Sequence, residues 1–417
     1  MKRVVVIGGG VIGLACAYSL KQRDREVVVV DAQSPGAGAS EGNAGWITPS
    51  LSMPVPAPGV VGNSLRWMFR PDSPLYIKPT LDPRRIAWLV TLLRHCNERA
   101  YGRGLDAIVK LNATTFQRFD ELESEGVEFE MHRAGLLFCF LDPDNRAHML
   151  EDLARVAELG YSPVPLDADE VRHMEPRISS DVAAGIYLAQ ERQVRPESLV
   201  TGYIKRLLDE GTDIRVASPI RGFERAGGKV VGALNGQGVI EGDEFVVAAG
   251  AHSGRLARTL GSNVPIAAGK GYSLHFEPAP LELNHALYLY EARVGATPFR
   301  GALRFAGTME FSGINTRLNE TRVRAISAAA RRYLEGFTPE TQGRPWAGMR
   351  PMMPDGLPAI GRVAPNVTVA SGHSMLGVTL APATGAAVAD LIEGSEPEIL
   401  RPFDPLRFDR RHRRTSQ

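Results

Sequence analysis

The sequence predicts a mixed α/β protein of two domains: one on a parallel sheet, and an α+β domain, built on an antiparallel sheet, inserted into it. Three observations predict this. The chain opens V-V-V-I-G-G-G-V-I-G at residues 4–13, a β-branched strand running through glycines into an apolar helix, and a second strand ends at Asp31. Prolines then crowd the chain at Pro49, Pro54, Pro56, Pro58, Pro71, Pro74, Pro79 and Pro83, a stretch that suits neither a central strand nor a long helix and so leaves the first unit. Strand, turn and helix return near the end, at 367–370, 372–377 and 378–392.

The first strand is predicted over 3–8 and the helix over 11–22. Gly8 allows a tight turn, Gly10 lets backbone approach a pyrophosphate, and Gly13 lets helix pack on strand. Val11 and Ile12 begin a helix whose unpaired N–H groups and positive dipole end face the phosphates. The second strand, 26–31, delivers Asp31, followed by Ala32, where a carboxylate accepts hydrogen bonds from ribose hydroxyls. Strand, glycines, helix, strand and acid in that order predict a bound nucleotide cofactor. An ordinary turn leaves the glycines, each costly in backbone entropy, unexplained.

A loop of small residues follows at 34–48. Residues 84–101 read as an amphipathic helix with Ile86, Leu89, Val90 and Leu93 on one face, and 106–125 as another. The run G-L-L-F-C-F-L at 135–141 reads as a buried strand, 145–159 as a helix, and Pro196 opens a helix to 208. Strands are predicted at 213–216, 222–225, 230–234, 239–242 and 244–248, separated by Gly and Asn turns. A β-rich section spans 267–312, and a helix 321–335. The nucleotide-binding domain is thus expected from 1–50, 146–262 and 346–417, and the inserted domain from 51–145 and 263–345.

A net charge of +1 gives no general pull toward nucleic acid. The local exception is Arg410, Arg411, His412, Arg413 and Arg414, expected as a solvated tail, with weak contact to anionic lipid heads as the alternative. Three widely spaced cysteines, Cys16, Cys96 and Cys139, suit a reducing cytoplasm better than a disulfide framework. Nine histidines are scattered without ligand spacing, so no metal is expected. Met1-Lys2-Arg3 before an apolar run mimics a leader, but the glycines fit the nucleotide fold better. No stretch reaches the roughly 18 apolar residues of a spanning helix, leaving at most peripheral contact with the inner face of a membrane.

Five patches carry a resemblance over nearly the whole chain: V-I-G-G-G-V-I-G, S-E-G-N-A-G-W-I-T-P at 40–49, V-V-A-A-G-A-H-S at 246–253, G-K-G-Y-S at 269–273, and a tail run from Trp346 to Ile392. They resemble the D-amino-acid oxidase/dehydrogenase superfamily of FAD enzymes, most closely the bacterial D-amino-acid dehydrogenases of the small-subunit type. The resemblance implies a discontinuous Rossmann-like FAD-binding domain of the glutathione-reductase type. It places Ser40, Asn43, Ala44 and Gly45 on the FAD diphosphate, ribityl chain and ring, with Trp46 and Ile47 beside the ring. Ile220 supplies backbone contacts to the adenine, and the turn at Ala249 and Gly250 approaches the cofactor. Gly372, His373, Leu376, Gly377, Val378 and Thr379 open a helix aimed at the flavin's pyrimidine side, where a helix N-terminus stabilises the negative charge of reduction. His373 lines the ring or satisfies a backbone group. Some members attach flavin through cysteine near the position of Gly348, where this chain has none, so FAD is expected to be noncovalent.

Arg350 is the candidate substrate residue. An amino-acid carboxylate suits the planar guanidinium fork, and the resemblance places such an arginine before the pattern P-x-x-x-D-G-x-P-x-x-G. Tyr272 faces the pocket or packs in the core through a hydrogen-bonded hydroxyl. The expected reaction is oxidative deamination of a D-amino acid by hydride transfer to flavin, with electrons passed to a quinone or a redox partner subunit. D-proline or D-hydroxyproline oxidation, or a glycine/sarcosine-type oxidase using dioxygen, are the alternatives. A non-catalytic flavoprotein subunit is the reading from another class.

Overall fold

The structure is a computed structural model that describes residues 2–59, 75–157, 160–338 and 343–409. Pro71, Pro74 and the basic run 410–414 lie outside the described residues.

The strands of the first unit form a six-stranded sheet in the order Asp213–Arg215, Glu26–Val30, Arg3–Ile7, Glu244–Val247, Val367–Ser371, Ala359–Ala364. Neighbours are parallel except the last pair. Both faces are covered, which is why the central strands read as unbroken apolar runs at 4–7, 27–30 and 245–247. Val4, Val6, Val27, Val29 and Val246 pack under the helices Val11–Lys21, Pro196–Asp209 and Gly377–Ile392. Val5, Val28, Val30 and Val247 face the opposite core, with the helix Ser253–Thr259 and the small antiparallel sheet of Gly222–Ala226, Lys229–Leu234 and Val239–Glu241. The first and last helices nearly touch along their backbones: a Cβ on Gly385 would stand 2.4 Å from the Ala15 carbonyl oxygen.

The second sheet has nine strands. Arg344–Met352, Ala267–Phe276, Ala302–Phe311, Val294–Phe299 and Ala286–Leu289 are antiparallel in that order. The sheet continues through Leu136–Phe140, Ala184–Leu188 and Val164–Asp167, and Leu75–Ile77 pairs beside 302–311. It is mixed, because Leu136–Phe140 and Leu75–Ile77 join in parallel. The helix Glu320–Tyr333 covers one face through Ile326 and Ala330. The other face packs against residues 42–46 through Trp346, Arg304 and Thr297.

Three expectations need correcting. Strands 164–167 and 184–188 extend the second sheet, so the part of 146–262 up to about 188 packs with the inserted domain and not with the nucleotide-binding one. Conversely, Ala107, Ile108, Leu111, Phe119 and Leu122, placed in the insert, pack in the core of the first sheet. The helix expected at 84–101 breaks into Pro83–His95 and Glu98–Asn112, because Asn97 takes extended backbone and its side chain caps Ala100 N. Its presumed inner face is turned outward: Ile86, Val90 and Leu93 are exposed, and Trp88 is the anchor, its indole donating to Pro265 O at 3.0 Å.

Candidate active site

Two of the glycines in the first turn are dictated by space. Gly8 has φ +114°, and a Cβ there would stand 2.4 Å from the Ala248 carbonyl oxygen. A Cβ on Gly13 would lie 1.8 Å from the Gly8 carbonyl oxygen. At Gly10 a Cβ would meet nothing nearer than Ser40 Oγ at 3.4 Å, leaving open room at the head of the helix. That helix has no side-chain cap from its own N-cap residue, but Ser40 Oγ accepts from Val11 N at 3.0 Å. Asp31 receives Gly9 N at 2.6 Å and Gln33 N at 2.7 Å. Burial pushes its carboxyl above the usual carboxylate range, and the two N–H donors partly offset this. The Ser218 amide donates to Asp31 O, which brings the 215–220 segment, and Ile220, alongside. The turn after Val247 lies open: a Cβ on Gly250 would meet nothing within 4 Å. Its carbonyl accepts from Ser371 Oγ at 2.9 Å.

The 40–49 patch is tied to the last helix. Thr379 Oγ1 donates to Trp46 O at 3.0 Å and accepts from Thr48 N at 3.2 Å. Asn43 Oδ1 accepts from Gly45 N, and the carbonyls of Asn43 and Ala44 accept from Arg304 and Thr297 of the second sheet. Ile47 is buried in the first core beside Val378. The 372–376 turn is in turn pinned to the strand carrying Arg350, since Ser374 N donates to Pro351 O at 2.8 Å. Gly372 takes φ +83°, and Leu376 caps the helix Gly377–Ile392 without a side-chain acceptor. Its first N–H groups therefore remain for an external negative charge.

Arg350 lies on the Gly271 face of the second sheet, opposite the helix Glu320–Tyr333. Its Nη1 donates to Thr308 O at 2.8 Å, and among the described residues it has no carboxylate partner. Burial, then the like charge of Arg322 beyond the sheet, push its pKa down to about 10, so it stays charged at neutral pH. A half-buried guanidinium without a carboxylate partner among the described residues is suited to a ligand carboxylate that would neutralise it. Gly271 makes room: a Cβ there would stand 2.4 Å from the Arg350 guanidinium carbon. Thr308, a β-branched residue at φ +57°, sits in the bulge that turns its carbonyl toward Arg350. Tyr288 shares this face, its ring 5.6 Å from that of Trp46 in a T-shaped pair. The Trp46 indole lies over Gly295 and donates to Thr297 Oγ1 at 2.9 Å.

The structure bears on two residues whose roles the sequence leaves open. Tyr272 points the other way: it is buried against the helix Glu320–Tyr333 and donates to Glu310 Oε2 at 2.6 Å. In the motif G-K-G-Y-S the glycine before it meets Arg350, because side chains alternate across a strand. His373 is buried, its Nε2 paired with Thr384 Oγ1 at 3.0 Å, and burial pushes its pKa down to about 3. Burial thus favours its neutral form. Sequence reasoning missed Gly271, Thr308 and Tyr288. The first was visible as a strand-interior glycine; the others carry no local signal.

An uncapped helix N-terminus, a glycine turn, an acid after the second strand and a guanidinium without a carboxylate partner among the described residues are the groups that holding a dinucleotide with a redox ring calls for. This is the site of a flavoprotein oxidoreductase. Residues 3–391 match the family model for FAD dependent oxidoreductase. The chain is 31% identical to a D-amino acid dehydrogenase of Methylobacterium nodulans, over 95% of this chain and 96% of that one. It is 29% identical to a D-amino acid dehydrogenase of Granulibacter bethesdensis, over 95% and 97%. Glycine oxidase from Geobacillus kaustophilus shares the fold with a TM-score of 0.77 at 21% identity, covering 98% of this chain and 99% of that one. L-proline dehydrogenase from P. horikoshii does so with 0.76 at 20%, covering 98% of each. The chain belongs to the FAD-dependent oxidoreductase family, is an enzyme, and takes FAD as its cofactor. Among the described residues no helix is long and apolar enough to cross a membrane.

Proposed function

We propose that this enzyme oxidatively deaminates a D-amino acid. The observation that carries the reading is Arg350: a charged guanidinium on the face of the sheet opposite the helix Glu320–Tyr333, with the Thr308 carbonyl and, among the described residues, no carboxylate beside it. FAD supplies the two-electron sink. Arg350 grips the substrate carboxylate through two parallel hydrogen bonds, and Thr308 O and the bare face of Gly271 fix the fork. Trp46 and Tyr288 wall the side-chain end. The α-hydrogen would leave as hydride to that sink, expelled as the lone pair of a neutral amine forms the C=N bond. The N-terminus of Gly377–Ile392 favours the negative charge this delivers. The imino acid is then hydrolysed by water to an oxo acid and ammonia. The protein contributes orientation and electrostatics, and no strong base is required.

Asp31 holds the adenosine ribose, and residues 8–13 and 40–47 line the diphosphate and ring, without a covalent bond. Cys16 and Cys139 are buried in the cores, and Cys96 lies at the end of the helix Pro83–His95. Electrons leave to a quinone or another carrier.

The test is anaerobic bleaching of the bound flavin by a panel of amino acids. D-amino acids, D-proline included, are expected to bleach it and their L-enantiomers to leave it coloured. Bleaching by L-amino acids alone, or by none, contradicts the reading. Peroxide formation at the turnover rate in air assigns the electrons to dioxygen.

A further inference from the structure

The face of the second sheet that carries Arg350 carries a second arginine. In the register of the sheet Tyr288 pairs with Gly295, Gly295 with Ala306, Ala306 with Ser273 and Ser273 with Trp346. Side chains opposite one another share a face, so Tyr288 lies on the side of Trp346 and, by alternation, of Gly348 and Arg350. The Trp46 indole stands there too, where a Cβ on Gly295 would be. Arg293, at φ +54°, closes the hairpin between Ala286–Leu289 and Val294–Phe299. Its guanidinium folds back onto this face. The guanidinium carbon is 4.2 Å from the centre of the Tyr290 ring, and Nη1 is 3.5 Å from Tyr288 Oη.

The two arginines lie on either side of the bulge at Thr308. Lys270 pairs with Glu310 and Tyr272 with Gly307, which sets Gly271, under the Arg350 guanidinium, beside Thr308 on one flank. Val294 pairs with Gly307 on the next strand, which sets Arg293 beside Thr308 on the other. Two strand spacings separate Gly271 from Arg293, roughly 10 Å. Among the described residues neither guanidinium has a carboxylate at ion-pair distance. Asp152, exposed on the helix Pro143–Ala157, feels the charge of Arg293 only from further off. Arg350, Trp46, Tyr288, Tyr290 and Arg293 all remain partly exposed, so the strip between the two charges is reached by solvent.

We propose that Arg293 sets the specificity of the substrate site, and that the substrate is a D-amino acid with a second carboxylate in its side chain, of aspartate or glutamate length. The proposal rests on the preceding reading in one respect: that Arg350 takes the α-carboxylate. The side chain then runs past Tyr288 and Trp46, and its carboxylate meets Arg293. A four- or five-carbon dicarboxylate with an N–H···O contact of about 2.8 Å at each end spans roughly the 10 Å between the arginines. The Tyr288 hydroxyl, beside Arg293, can donate to the same carboxylate. Stacking on Tyr290 holds the fork against the sheet before the ligand arrives, so little side-chain freedom is lost on binding. A neutral side chain of the same shape leaves the charge of Arg293 unanswered, so the site discriminates by charge as well as by size.

The experiment compares D-glutamate with D-glutamine, its neutral isostere, as reductants of the bound flavin in anaerobic stopped flow on the holoenzyme. Wild type is expected to favour D-glutamate by about 100-fold in the rate of reduction at low concentration. Arg293→Gln is expected to bring that ratio close to one, and Arg293→Lys to leave it in between. FAD content per polypeptide shows that each variant is folded, and the wild-type ratio decides by itself if none is. Glutarate, which has both carboxylates and no amine to oxidise, is titrated into oxidised holoenzyme and followed through the flavin spectrum. It is expected to bind, and Arg293→Gln to weaken it by about 100-fold. A wild-type ratio near one, or a ratio unmoved in Arg293→Gln at full FAD content, overturns the proposal. If D-alanine bleaches the flavin in that event, the deamination reading stands without it. If no amino acid bleaches the flavin while glutarate binds through Arg293, the deamination reading fails and the dicarboxylate site stands.

Discussion

The glycine cradle at residues 8–13 recognises its ligand through backbone, whereas the face around Arg350 is built from side chains on separated strands. The two leave different traces in a sequence. Backbone recognition demands particular glycines at fixed short spacing, since a Cβ at Gly8 or Gly13 collides with carbonyl oxygens. Side-chain recognition depends on register: Gly271, Thr308, Tyr288 and Arg350 meet only because four strands align. The first kind of site tolerates no small change and the second tolerates change by degree.

The largest expected effect is at the cradle. Gly13→Ala forces backbone apart and is expected to cost about 4 kcal/mol or more, with loss of bound FAD. Flavin absorbance per polypeptide after gel filtration measures it, and a yellow, fully loaded variant would show that the turn yields more than its geometry allows. At the other region, Gly271→Ala displaces the guanidinium without touching the cradle. We expect kcat/KM to drop about 100-fold, mostly through KM, at unchanged FAD content. Wild-type kinetics there would separate Arg350 from the substrate.

The adjacent residue sharpens the contrast. Tyr272→Phe removes a buried bond to Glu310 on the reverse face and is expected to cost about 2 kcal/mol of stability in chemical denaturation, with KM as in wild type. A rise in KM would place Tyr272 in the pocket after all.

Strand, glycine turn, helix and acid were legible because local rules write them, as were the strands from 213 to 247 and the last strand and helix. Arg350 was legible only through its motif. Tyr272 stayed open between pocket and core for want of the strand's facing, which no local pattern in G-K-G-Y-S supplies. The domain boundary near 146 was misplaced because strands 164–167 and 184–188 join a sheet whose other members lie far away in sequence. The break at Asn97 was hidden by an uninterrupted apolar period.

A pH-dependent effect lies where the two regions join. Glu191, buried beside the strand Arg192–Val194, accepts from Ser50 N at 3.1 Å, just beyond Trp46 and Ile47. Burial pushes its pKa up to about 8. The folded protein therefore keeps a proton that the unfolded chain releases above its ordinary value of 4.5. Stability that is full below that value is lost as pH rises toward 8, by at most about 1.4 kcal/mol per pH unit. Glu191→Gln lacks this loss, so its stability relative to wild type should climb from pH 5 to pH 8. A difference that stays flat with pH would mean that Glu191 is ionised in the fold.

Arg350→Ala, followed by anaerobic stopped-flow reduction of the bound flavin over a range of D-amino acid concentrations, tests the central claim most directly. The substrate concentration for half-maximal reduction should rise by about 100-fold or more, with FAD retained and Arg350→Lys recovering only part of the loss. Reduction by the alanine variant at wild-type substrate concentrations would contradict the account.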